Sequence, residues 1–412
     1  MLPAKSWQPS SKSPDMRILV VCAWYAPLFH PRAHRWSAIA AHWAQEGHEV
    51  QVFTSRVAQC PTEETLNRVQ VHRAGYDALK SCLFTNRTQG GASEHTIQGR
   101  MPAFLHWLYS QAWKNLCFPD ESFLWRLGAR KKIRQLIQQP PFDLIVSVSM
   151  PFSAHLIGRH IQQHHPQARW LVDIGDPLSI SPGRLFWLQR KRKLERETLE
   201  QADAVVVTNE GLKSTYRQVL GEKSVARMQV IPPLLHPIPP LSIEKRAPKG
   251  KKRQMVYTGA FYLPHRSPAP FLALMEALFK TYPKWQEQLE IHLYGSIPPT
   301  LLPLFQGIPG LVLHGYQSRA RCREAVAQAD LLLHIGNSSA YQLPSKVVEY
   351  LACSQPILHI SQCENDPVTT LLEQRGGVFS IQMPYENLGM DTLKYLNDWL
   401  EHAAPVPSVD TT

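Results

Sequence analysis

The chain has 412 residues, a length that suits two or three domains, and 44% hydrophobic against 19% charged residues exclude the disordered and fibrous classes. Lys and Arg total 44 against 33 Asp and Glu, a formal charge of +11. No stretch approaches the ~18 uninterrupted apolar residues of a membrane span, the nearest, Leu144 to Gly158, being broken by serines, a proline and His155.

Met1–Asp15 is polar and proline-rich, without the apolar run of a secretory signal, and is expected to be a disordered extension. Arg17-Ile-Leu-Val-Val-Cys22 then reads as a strand buried on both faces. A helix is predicted over Ala33–Gln45, stopped near Gly47, and His48–Thr54 supplies the next strand, completing a right-handed βαβ unit. Phe142–Val148, Arg169–Asp173 and Ala204–Thr208 read as further strands. Between 75 and 118 the pattern is weak. Phe104–Tyr109 with Trp113 forms an aromatic cluster there, read as core or interdomain packing with a membrane surface as the alternative.

From Pro232 to Arg253 prolines and then lysines dominate, and such a segment holds neither helix nor central strand. The rhythm restarts with strands at Gln254–Thr258, Glu290–Tyr294, Leu311–His314, Asp330–His334 and Pro356–His359. The expected organisation is α/β, two doubly wound Rossmann-like domains facing across a cleft: 16–231, a Pro/basic linker over 232–253, then 254–390. A helix over 391–402 follows, with a return to the first domain as one option, and then a tail, 403–412. Seven scattered cysteines, without a CxxC or a His/Cys cluster, argue against a disulfide framework and a zinc site and favour a reducing cytoplasm.

Ligands of such sheets bind beyond the strands' carboxyl ends, so the cleft is the expected site. The densest signal is Tyr341–Leu358. Pro344 and Ser345 fit a helix start, whose free N–H groups attract anions, and Val347–Cys353 continue helically. Lys346 adds a positive charge, and Glu349 could accept from a pair of ribose hydroxyls. An ordinary cap with a surface lysine and a solvated glutamate fits equally. Arg32 and Arg35 lie just past the first strand, where an acceptor or a phosphate would sit, unless they are a solvated helix start. Asp173 and Asp176 end the Arg169–Asp173 strand and could orient an acceptor hydroxyl or act as base, or form a turn with Pro177.

Together the chain resembles the GT-B glycosyltransferases, in particular the large retaining group called family four, from Met16 to about Leu400. The carriers are Gly47-His48-Glu49-Val50, Ala202-Asp203, Val230-Ile231-Pro232, Tyr257-Thr258-Gly259, Gly295, Gly315, Ala329-Asp330 and the stretch from Pro344 to Pro356. The resemblance implies a nucleotide-sugar on the C-terminal domain, an acceptor on the N-terminal one, and no metal or other cofactor. Glu349 matches the second glutamate of the family's E-x7-E signature, the ribose contact. The resemblance further implies that Arg266 and Lys346 face the donor diphosphate and stabilise the leaving charge, with Asp176 as a further catalytic group that orients the acceptor hydroxyl or acts as base. Gly259, Gly295, Tyr316 and Ser345 complete the donor site, and Arg32, Arg35 and Asp173 the acceptor side. The chain departs from the pattern at Tyr341, Ala260, Gly175 and the loop Pro27–Arg35, which replaces a glycine-rich one; with Arg266-Ser267-Pro268 and the Pro-Ser-Lys turn this looks like a divergent branch.

The expected function is transfer of a hexose-like sugar, with retention, to a glycan or lipid-linked acceptor in surface polysaccharide assembly. A GT-B nucleotide-sugar epimerase and a non-catalytic nucleotide- or sugar-binding partner of an assembly complex are the alternatives. The basic runs Arg126 with Arg130–Arg134, and Arg190–Lys193 with Arg196, are either solvated helix faces or contacts with an anionic membrane surface. Nucleic acid is not an expected partner, and the expected location is the cytoplasm, with the inner face of the plasma membrane as an option.

Overall fold

The computed structural model describes residues 15–28, 30–57, 60–75, 117–120, 122–180, 187–232, 252–382 and 389–406. They divide into two compact units. The first runs to Val207 and takes in Tyr216–Ile231; the second takes Thr208–Thr215 and the described residues from Pro232 onward. The N-terminal extension, residues 233–251 of the linker, the aromatic cluster at 104–113 and the last residues of the tail lie outside the described residues.

The first unit is built on an eight-stranded sheet. Its strands are β1 (Arg17–Cys22), β2 (Glu49–Thr54), β3 (Glu63–Leu66), β4 (Val69–Arg73), β5 (Leu144–Val148), β6 (Arg169–Ile174), β7 (Ala204–Val207) and β8 (Met228–Val230). Their order is β3-β4-β2-β1-β5-β6-β7-β8, parallel throughout except for the β3–β4 pair. The nearly unbroken apolar run of β1 places it between β2 and β5, with Leu19, Val20 and Val21 fully buried. The helices are α1 (Pro31–Gln45), α2 (Phe123–Gly128), α3 (Arg130–Ile137), α4 (Ser153–Gln162), α5 (Leu188–Gln201) and α6 (Glu210–Leu220), whose first turns, up to Thr215, fall in the second unit. Helix α1 starts two residues earlier than expected because Pro31 occupies its first turn, where no N–H is needed, and the His30 ring caps it by accepting from the Arg32 N–H at 3.2 Å. The β3–β4 hairpin was not legible in the hydropathy pattern. Its strand β3 is a polar edge, and its register is set by Asn67 and Arg68, both at positive φ (50° and 66°) as a two-residue hairpin turn requires.

The second unit holds a six-stranded, wholly parallel sheet of β9 (Arg253–Thr258), β10 (Leu289–Tyr294), β11 (Leu311–Gly315), β12 (Leu331–Ile335), β13 (Ile357–Ile360) and β14 (Val378–Ile381), in the order β11-β10-β9-β12-β13-β14. Arg253, expected to close the linker, instead opens β9 and donates to the Leu400 and Ala403 carbonyls. The helices are α7 (Ala269–Thr281), α8 (Lys284–Gln288), α9 (Arg319–Gln328), α10 (Ser345–Leu351), α11 (Pro367–Glu373) and α12 (Met390–His402). Helix α10 ends two residues before the expected Cys353. Helix α12 packs into this unit's own core: Leu393, Leu396 and Leu400 join Phe271, Leu274 and Trp285, and the Trp285 indole donates to Asn397 at 3.1 Å. Its apolar face is thereby satisfied on the second sheet.

Candidate functional site

In the first unit the start of α1 meets the end of β6. Asp173, fully buried near the end of β6, accepts from the Trp36 indole at 2.7 Å and from Arg32 Nη1 at 3.5 Å; Arg35 Nε stands 3.9 Å away. Burial pushes the Arg35 guanidinium below its ordinary range, Asp173 opposes this, and the neighbouring Arg32 adds to it. Gly175 is explained by Arg32. A Cβ built at 175 would stand 1.0 Å from Arg32 Nη2, so the guanidinium occupies the space that a side chain there would fill. Sequence placed Arg32, Arg35 and Asp173 near one another; it gave no hint that Trp36, one helical turn beyond Arg32, is the strongest partner of the carboxylate.

Asp176 lies half-buried in the loop after β6. The loop is pinned by Glu195 of α5, a fully buried carboxylate that accepts from the Leu178 N–H (2.7 Å), the Ser179 N–H (3.0 Å), the Ser179 hydroxyl (2.5 Å) and the Tyr216 hydroxyl (2.7 Å). Burial raises its pKa, against those four hydrogen bonds. Glu195 sits beside the basic run Arg190–Lys193, which is not one solvated face. Lys191 is buried, Arg190 lies 4.8 Å over the Trp187 ring, and Arg196 donates to the Leu220 carbonyl.

In the second unit the carboxyl ends of β9, β10 and β11 converge through glycines. The Gly259 N–H donates to the Tyr294 carbonyl and the Gly295 N–H to the Gly315 carbonyl, both at 2.8 Å. Gly295 has φ +148°, and a Cβ there would lie 1.9 Å from the Gly259 carbonyl oxygen. Only glycine fits this approach, and it leaves bare peptide at the strand ends. Tyr316, the next residue after β11, is 76% exposed.

Arg266 is only 8% exposed. Its Nε and Nη2 both donate to Asn337 Oδ1, at 3.1 and 2.7 Å, and its guanidinium lies 5.6 Å over the Tyr262 ring. The loop that carries it is stitched to the ends of β12 and β13: the Ser338 N–H donates to the His265 carbonyl, and Gln362 exchanges two hydrogen bonds with the Ser267 backbone. A neutral amide therefore orients this cation and leaves its charge intact. Next to it lies a buried cluster of His334, His359 and Asp366, with the two Nδ1 atoms 3.0 Å apart and His359 Nε2 3.5 Å from Asp366 Oδ2. Burial pushes Asp366 up to about 6 and His359 down to about 4, and holds His334 well below its ordinary value.

Ser345 opens α10, and Lys346 and Glu349 are joined on it by a 2.8 Å ion pair, so neither is a free charge here. Helix α10 is tied to β9 by the Tyr350 hydroxyl, which accepts from the Thr258 N–H at 2.9 Å. Asn337, Tyr350 and Glu195 escaped the sequence reading because each acts through partners distant in the chain, seventy-one residues away for Asn337 and ninety-two for Tyr350. Among the described residues, no group of three or more His, Cys, Asp or Glu side chains is arranged to hold a metal, and no helix is long and apolar enough to cross a membrane.

Residues 33–233, which include Arg35, Asp173 and Asp176, match the glycosyl transferase 4-like domain. No curated protein matches the chain by sequence. Among solved structures, the catalytic domain of starch synthase IV from Arabidopsis thaliana bound to ADP and acarbose is similar, with 10% identity, 94% of this chain and 92% of that one covered, and a TM-score of 0.58. The UDP-forming α,α-trehalose-phosphate synthase of Burkholderia vietnamiensis gives 11%, 95%, 90% and 0.58. An E. coli structure described as trehalose-6-phosphate bound with UDP-2-fluoro glucose gives 12%, 93%, 97% and 0.53. At such identities the likeness shows the fold, two Rossmann-like domains of the GT-B type. The fold is thus of the GT-B type, and within it residues 33–233 match the glycosyl transferase 4-like domain.

Proposed function

We propose that the chain transfers a sugar from a nucleotide-sugar donor, bound on the second unit, to a glycan or lipid-linked acceptor bound on the first, with retention and in surface polysaccharide assembly. The observation that carries this reading is Arg266, a buried guanidinium oriented by the neutral Asn337 beside the glycine strand ends. A sugar leaving a nucleoside diphosphate deposits negative charge on the phosphates, and a fixed cation in a poorly solvated place stabilises that charge more than water can. Removing one such group costs on the order of 10²–10³ in rate. Lys346 supplies a second cation when the donor draws it from Glu349, which then turns to the ribose hydroxyls. Gly259, Gly295, Tyr316 and Ser345 border the donor. Asp176, on a loop held by Glu195, orients the acceptor hydroxyl, while a donor phosphate oxygen is able to take its proton. On this reading no metal is required. The basic helix faces add attraction to an anionic membrane surface, the site of a lipid-linked acceptor on the cytoplasmic side.

The test is calorimetric titration with a panel of nucleoside diphosphates and their sugars, repeated on Lys346→Ala and Glu349→Ala. One nucleotide should bind, and each variant should weaken it by roughly tenfold, about 1.4 kcal/mol. The half-exposed pair contributes little to stability, so folding should survive both changes. If no nucleotide binds, the reading fails in favour of a non-catalytic partner.

A further inference from the structure

The cluster after β1 and β6 carries more positive charge than its surroundings balance. Arg32 and Arg35 share one carboxylate, Asp173, which the Trp36 indole already engages. Both arginines stand in the first turn and a half of α1, the positive end of a 15-residue helix with no acidic residue in its first turn. Cations are disfavoured there, so the helix itself adds to the imbalance. The His30 ring that caps it is no counter-charge either: burial and Arg32 hold it down to about 4, hence neutral near pH 7.

The second observation is independent of the helix. The Arg35 side chain is nine-tenths buried, and its Nε and Nη1 have no hydrogen-bond partner. Asp173 Oδ1 is likewise buried and unpartnered. A buried guanidinium without matched acceptors is unfavourable unless a counter-ion arrives. The cluster therefore combines unmet donors and one positive charge in excess with a carboxylate oxygen able to accept from a hydroxyl. A tetrahedral oxyanion suits the guanidinium forks, and a hydroxyl next to it suits Asp173.

We propose that this cluster is a phosphoryl site: Arg32 and Arg35 hold a phosphate group carried by the acceptor, and Asp173 keeps both arginines aimed at it. The word acceptor rests on the transferase reading above; the phosphate binding does not. The phosphoryl group has two possible sources, a soluble phosphorylated compound or a lipid headgroup, and the chemistry of the site is the same for both.

The experiment uses the full chain with two probes, inorganic phosphate in titration calorimetry and phosphatidylcholine vesicles with or without phosphatidic acid in co-sedimentation. Saturable binding of either probe is expected, weakened by roughly tenfold in Arg35→Gln and in Arg32→Gln and kept in Lys346→Ala. Inorganic phosphate binding points to a soluble source, and binding to phosphatidic acid alone points to a lipid; both support the site when the arginine variants weaken them. Arg35→Lys, which keeps the charge but loses the fork, should fold and bind with an intermediate loss, which guards against a Gln variant that fails to fold. The proposal is overturned if neither probe binds, if both Gln variants bind as tightly as the parent, or if Lys346→Ala removes the binding. It is also overturned if Arg35→Gln weakens nucleoside diphosphate binding as much as phosphate binding, which would make the cluster part of the donor site. Nucleotide binding without phosphate binding sinks this inference alone; phosphate binding without nucleotide binding sinks the transferase reading alone.

Discussion

Replacing Gly175 by alanine should injure the protein only while Arg32 is present. The three atoms nearest a Cβ at 175 all belong to the Arg32 guanidinium, at 1.0, 1.8 and 2.4 Å, so the methyl group must eject it. The guanidinium is the far end of a flexible side chain, and the backbone at 175 is not in the left-handed region, so the loop itself can remain. What is lost is the contact of Arg32 with Asp173 at 3.5 Å. At an effective dielectric of about 20 its gross Coulomb energy is about 5 kcal/mol, most of it offset by desolvation. Asp173 keeps the Trp36 indole and Arg35, so it is not left as a bare buried charge. The net cost should be about 1–2 kcal/mol, a fall in Tm of roughly 2–8 °C for a unit of this size. In an Arg32→Ala background the three closest obstructions to the same Gly175→Ala change are gone, and it should be neutral or stabilising by about 0.4–1 kcal/mol through the unfolded chain. Thermal unfolding of the four proteins in the cycle reads this reversal of sign directly. An equal cost of Gly175→Ala in both backgrounds would refute the reasoning, since it would mean that the backbone and not Arg32 requires glycine.

Gly295→Ala places a Cβ 1.9 Å from a backbone carbonyl at φ +148°, where nothing flexible can give way, so it should cost on the order of 3 kcal/mol or more and show as a large drop in Tm or in soluble yield. Asn337→Ala leaves two buried N–H groups of Arg266 unmatched and should cost about 2–3 kcal/mol, whereas Asn337→Asp keeps the fold but neutralises the guanidinium. Both should weaken nucleoside diphosphate binding, and unchanged affinity in the aspartate variant would remove Arg266 from the donor site. Asp366 has its folded pKa raised to about 6 from 3.8, so its contribution is fully present below about pH 4 and is lost as pH rises through 6. His359 and His334, held neutral by burial, act in the opposite sense and lower stability as pH falls below their unfolded value. The clean reading is a difference: Asp366→Asn, which keeps the cap on the Val368 N–H, should match the parent near pH 4 and exceed it at pH 7 to 8 by up to about 3 kcal/mol. A constant offset between the two Tm–pH curves would contradict the assignment.

The strands β1, β5, β6, β9, β10, β12 and β13 are legible in sequence because a parallel strand covered on both faces is mostly apolar, nearly unbroken in β1 and interrupted by a few polar residues in β6, β9 and β10. With them come the α/β class, the two-fold recurrence of the βα rhythm and the strand ends, where Asp173, Gly259 and Gly295 stand. The β3–β4 hairpin and the short strands β8 and β14 escaped, since edge strands need not be apolar and short ones show no period. The charges Arg32, Arg35, Lys346 and Glu349 could likewise be nominated from position and type. Lys346 and Glu349 meet by local i,i+3 spacing, but only the tertiary structure decided that Arg266 is aimed by Asn337, seventy-one residues away in sequence, and that Glu195 pins the Asp176 loop. Hydropathy reports burial, which is local and periodic along the chain. The pairing of one buried polar group with another is set by where distant strands end, and no local pattern encodes that.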